Sequence, residues 1–98
     1  MEMDRTSRRA LLRIRVLVGK GFYRYTQSSD DGREEHGISD DDVREIVAVA
    51  SVITLQENGH WRIEGVDIGD RPVRLVIELL ENDVVFISVH LILKKDPE

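Results

Sequence analysis

The sequence predicts an α+β domain in which two or three N-terminal helices pack on one face of a mostly antiparallel, four-stranded sheet. Three observations carry that prediction. Apolar residues recur at helical spacing in the first half, the period switches to two from Ser51 onward, and β-branched residues crowd the second half. A chain of 98 residues builds one core, so residues 1–98 are read as a single α+β domain.

Leu11, Ile14 and Val18 make an apolar stripe, with Arg8, Arg9, Arg13 and Arg15 over the remaining surface, which predicts a basic helix over residues 6–19. Lys20-Gly21 ends it. Phe22-Tyr23-Arg24-Tyr25 reads as a short extended link. Residues 26–36 are polar enough for a surface helix, but Gly32 and the Asp30-Asp31 pair weaken it. The clearest start signal is Ser39, which caps a helix whose third position is Asp42, while Ile38 and Val43 form the flanking staple. Asp40, Asp41 and Asp42 sit where a helix dipole favours negative charge, so the acidic cluster is read as helix initiation and not as a metal site. Val43, Ile46, Val47 and Ala50 then face the sheet.

Strands are predicted at residues 52–55, 60–66, 73–80 and 84–93. The breaks fall at Glu57-Asn58-Gly59, residues 67–72 and Glu81-Asn82-Asp83, all rich in turn formers.

Composition limits the chemistry. With no cysteine, neither disulfides nor thiolate metal sites are available. No apolar run reaches the roughly 18 residues of a membrane span, so the chain is read as cytoplasmic with no membrane partner. The net charge of −5 is unevenly spread: residues 1–24 hold seven Arg/Lys against two acids, and residues 25–98 hold seven against seventeen. The N-terminal arginines have two readings: attraction to nucleic acid through counterion release, or docking on residues 30–45, which carry eight acids against two arginines. Glycine-rich phosphate loops, spaced metal ligands and a Ser-His-Asp signature are absent from the sequence, which implies neither metal nor cofactor.

The alternation of period two also fixes a register. Taking Trp61, Ile63, Val73, Leu75, Ile77, Leu79, Val85, Ile87, Val89 and Leu91 as core-facing requires Ile63 opposite Val73 and Leu79 opposite Val85, with odd turns centred near Ile68 and Asn82. On the other face Arg62 then opposes Arg74, and Arg74 opposes His90. Like charges at about 5 Å repel, so something offsets them. One reading is a phosphodiester held by the two guanidiniums, with the imidazole moving a proton and with Ser88 and His60 flanking the row. The other is neutralisation by Glu64 and Glu78 on the diagonals, which leaves an ordinary solvated face. The last strand would also carry Val84, Phe86 and Ile92 on its second face, to be covered by the N-terminal helix or by a second copy in a homodimer.

Residues 11–93 resemble a small bacterial domain family found beside YgiT-type zinc-finger antitoxins, similar in layout to MqsR and more distantly to BrnT and RelE toxins. The residues carrying the likeness are Gly37-Ile38-Ser39, the capped acidic helix from Asp40, Trp61-Arg62-Ile63-Glu64-Gly65, and Arg71-Pro72-Val73-Arg74-Leu75-Val76-Ile77-Glu78. The family's signature is a His and two Arg at four-residue steps before Gly-Ile-Ser; here those places hold Ser28, Gly32 and His36, with Arg33 one residue off. The resemblance implies a RelE-like fold and metal-independent cleavage of messenger RNA or ribosome-bound RNA by a toxin held by a cognate antitoxin. The register supplies the candidate catalytic residues His90, Arg74 and Arg62 and the flanking RNA contacts His60 and Ser88, and the family motif adds Arg33 and His36 as RNA contacts. The missing signature residues and a pI near 5.2 motivate the alternative, a non-catalytic RelE-like module that binds a protein partner.

Overall fold

The computed structural model describes residues 4–92. Helix α1 spans Arg5–Gly19, strand β1 Tyr23–Tyr25, helices α2 and α3 Gln27–His36 and Asp40–Val49, and strands β2 to β5 Val52–Leu55, Trp61–Val66, Pro72–Leu79 and Val84–Leu91. The α+β class is as expected, but the sheet has five strands in the order β1-β5-β4-β3-β2, with β1 parallel to β5 and the other pairs antiparallel. The supposed link at Tyr23 to Tyr25 is therefore a strand. It forms because Tyr23 and Tyr25, on one face of the pleat, pack against buried Phe86 with ring centroids 5.7 and 5.1 Å away.

Each helix starts and stops by local chemistry. The Asp4 carboxylate accepts the Ser7 N–H at 2.7 Å to open α1. Gly21, at φ 84°, closes it, as the amides of Gly21 and Phe22 bond the Val18 and Leu17 carbonyls. Thr26 caps α2, and Gly37, at φ 65°, ends it in the same manner with Ile38 N–H on the Arg33 carbonyl. Ser39 and Asp42 form the expected reciprocal box at the start of α3. At the other end of α3, the Arg15 guanidinium bonds the carbonyls of Val47, at 2.9 Å, and Ala50. A cation there satisfies acceptors that the helix leaves unpaired.

α1 and α3 cover one face of the sheet. Ile14, Ile46, Ile63, Leu75, Ile77 and Phe86 are fully buried between them, and Trp61 joins this core as expected. α2 instead runs along the edge of β5 beyond β1, where the Thr26 hydroxyl reaches the Phe86 and Ile87 carbonyls. Gly32, which weakened the predicted helix, is what allows the approach: a Cβ there would lie 2.3 Å from the Val89 carbonyl oxygen.

Two registers differ from expectation. Ile63 faces Leu75 rather than Val73, because the β3–β4 turn is closed by Asp67 and Arg71 and centred one residue later. Between β4 and β5, Val76 pairs with Ser88 but Ile77 pairs with Phe86, which leaves Ile87 as an extra residue in a bulge. The bulge reverses the parity of the first half of β5, so Val84 and Phe86 enter the core in place of Val85 and Ile87. Val84 and Phe86 therefore need no second subunit to cover them.

Alanine in place of glycine ordinarily favours a helix by about 1 kcal/mol. Gly32→Ala is expected to do the reverse, lowering stability by about 1–3 kcal/mol through overpacking against the Val89 carbonyl, as read by urea unfolding.

Candidate functional site

The face of the sheet opposite α1 and α3 carries the polar row. The observed register places Glu64, Arg74 and His90 side by side on β3, β4 and β5, with Arg62, Val76 and Ser88 as the next rank. The pairing of Arg74 with His90 is as expected. Arg62 opposite Arg74 is corrected: the shifted β3–β4 turn puts Glu64 there instead.

That shift changes the electrostatics. Both the Nε and a terminal nitrogen of Arg74 donate to Glu64 Oε2 at 2.8 Å, and Arg62 Nε lies 3.8 Å from the same oxygen. One carboxylate thus serves two guanidiniums, leaving local charge of about +1. All three side chains are about one-third exposed, so a solute can reach them. At that exposure the ion pairs contribute about 1 kcal/mol or less.

His90 is half-buried beside them, its Nδ1 3.1 Å from Ser88 Oγ. Burial first, then the Arg74 guanidinium and the His36 imidazole, lower its pKa below the ordinary 6.5. The shift favours the neutral imidazole, and in the tautomer whose Nδ1–H donates to Ser88 Oγ the Nε2 lone pair is left to accept a proton. His36, whose charge is felt at His90, lies in the last turn of α2, one turn beyond Gly32, where Arg71 holds the His36 and Gly37 carbonyls at 2.8 and 3.0 Å.

The remaining candidates are engaged elsewhere. Arg33 lies 4.1 Å over the Tyr25 ring and bonds Asp30 at 2.5 Å and the Ile38 carbonyl at 3.3 Å. His60 precedes β3 in the β2–β3 turn, where its N–H bonds the Asn58 side chain at 3.0 Å. No group of three His, Cys, Asp or Glu residues placed to hold a metal occurs among the described residues.

Sequence reasoning missed a second polar cluster. Tyr23 and Tyr25 both donate to Asp40, the first helical residue of α3, at 2.8 and 2.6 Å, and Arg44 donates to the Tyr23 hydroxyl at 3.2 Å. Burial, reinforced by Asp40, raises both phenol pKa values, so both stay protonated donors. The available signal was two tyrosines two residues apart on one strand face, ahead of a capped acidic helix.

Compared with protein-family models, curated proteins and solved structures, the chain matches none. The geometry itself is what bears on function.

A pH titration followed by NMR should place the His90 midpoint below 6.5, and Arg74→Met should move it upward. Because the folded state binds this proton less readily than the unfolded chain, the sign follows: stability is full above pH 6.5 and falls as pH drops from 6.5 through the folded midpoint. His90→Gln should flatten that part of the stability profile.

Proposed function

We propose that this chain is a RelE-like toxin of a bacterial toxin–antitoxin pair that cuts RNA without a metal on the open face of its sheet. The observation that carries the reading is the His90 imidazole directly across from the Arg74 guanidinium, on a face that neither α1 nor α3 covers, where burial and Arg74 lower its pKa. His90 accepts the proton of a ribose 2′-hydroxyl, and the 2′-oxygen forms a bond to phosphorus. Arg74 and Arg62 hold the phosphate oxygens as charge builds on them. The bond to the 5′-oxygen breaks, and that oxygen takes a proton from solvent water. The products are a 2′,3′-cyclic phosphate and a 5′-hydroxyl. Ser88 orients the His90 ring through its Nδ1.

The placement of Glu64 favours a second reading. Its carboxylate already occupies the Arg74 fork, and the chain carries a net charge of −5. A module that has lost cleavage would use the same surface to hold a protein partner, its antitoxin among them.

With EDTA present, the purified chain should cleave single-stranded or ribosome-bound RNA, and induced expression should slow bacterial growth. His90→Ala and Arg74→Ala should each reduce cleavage at least about 100-fold, the range of a lost proton-transfer or charge-stabilising group. Cleavage indifferent to both changes removes these assignments. Glu64→Gln separates the two readings: it should strengthen RNA binding and steepen its salt dependence by freeing two guanidiniums, whereas an interaction module shows no RNA binding before or after the change.

A further inference from the structure

Helix α1 carries a surface that neither the core nor the open face explains. No acidic residue lies between Arg5 and Lys20, a stretch that holds six cationic side chains. The stripe of Ala10, Leu11, Ile14, Leu17 and Val18 is buried on the domain. On the outward side, Leu12 and Val16 are 54% and 53% exposed, one turn apart. Residues four apart on a helix are surface neighbours, so the two form a single apolar ridge. Beside the ridge is a hollow of about 390 Å³ lined by Leu12, Arg13, Val16, Leu17, Lys20 and Asn82. Arg13 crosses to the Glu81 carbonyl and thereby forms one wall.

We propose that this ridge and hollow dock an acidic amphipathic helix of a partner protein. Its aliphatic side chains fill the hollow against Leu12 and Val16, and its carboxylates meet Arg9, Arg13 and Lys20. The charge distribution directs such a partner here, because residues 25–98 hold seventeen acids against seven Arg/Lys and repel an anionic segment. The aliphatic ridge selects a peptide over a nucleic acid: phosphates use the arginines but gain nothing from burying Leu12 and Val16. The site lies across the sheet from His90 and does not depend on whether the open face cleaves RNA.

The test is binding of a fluorescent helical peptide with Leu at i, i+4 and i+7 and Glu elsewhere on the same side. Its partner probe is the same peptide with Gln for Leu. The Leu peptide should bind the intact chain, and the Gln peptide at least about tenfold more weakly, as expected for losing one or two buried aliphatic side chains. Leu12→Gln with Val16→Gln should produce the same loss without lowering affinity for oligouridylate. Arg9→Glu with Arg13→Glu should weaken the Leu peptide further at low salt than at high salt. Circular dichroism confirms that each variant is folded. Equal binding of both peptides, equally tight capture of oligouridylate or anionic phosphatidylserine vesicles through α1, or no binding of the Leu peptide overturns the proposal.

Discussion

The pairing of Asp67 with Arg71 is the constraint on which the arrangement rests. Asp67 is 4% exposed and accepts from both the Arg71 backbone N–H, at 2.8 Å, and its Nε, at 2.7 Å. A buried carboxylate is tolerated only with such partners, and removing one typically costs several kcal/mol. The pair closes the β3–β4 turn and so sets which residue of β3 meets which of β4. The same arginine bonds the last carbonyls of α2, while Ile68 N–H bonds the buried Asp42 carboxylate at the start of α3. Burial and the partners Ser39 and Ile68 act on Asp42 in opposite directions, and the hydrogen bonds prevail, holding its pKa below the usual carboxylate value. One turn thus joins two strands to two helix ends.

The second constraint is the bulge at Ile87. Without it, the first half of β5 would turn Val84 and Phe86 away from the core, and Tyr23 and Tyr25 would have no ring to pack on. With it, the parity beyond the bulge still places His90 across from Arg74. The extra residue lets one strand serve a core built from its first half and a polar row built from its second.

Much of the fold was legible because its signals are local. The Ser39 cap, the glycine after α1, the stripe of α1 and the period-two strands each depend on a few neighbouring residues. What escaped depends on residues far apart. A turn closed by a side-chain pair shifts register by an amount that hydrophobic alternation does not encode. A bulge is invisible wherever both parities of a strand are apolar, as they are from Val84 to Ile87. The Arg74–His90 contact was reached through two departures that cancelled: an even turn of residues 80–83 where an odd one was expected, and one inserted residue. Gly32 read as a defect because the Val89 backbone that requires it lies 57 positions away.

These same facts decide what the open face does in its resting form. Glu64 occupies the Arg74 fork as a phosphate would, so a phosphodiester gains only the difference between its own bonds and those it displaces. The released carboxylate would then stand beside the incoming anion and repel it. The affinity of this face for any polyanion is thus held down by a neighbour on the adjacent strand, and the net charge of −5 slows an anion's approach further. On the RNA-cleaving reading, such a site would need a strand positioned by other contacts and not one captured from solution by charge.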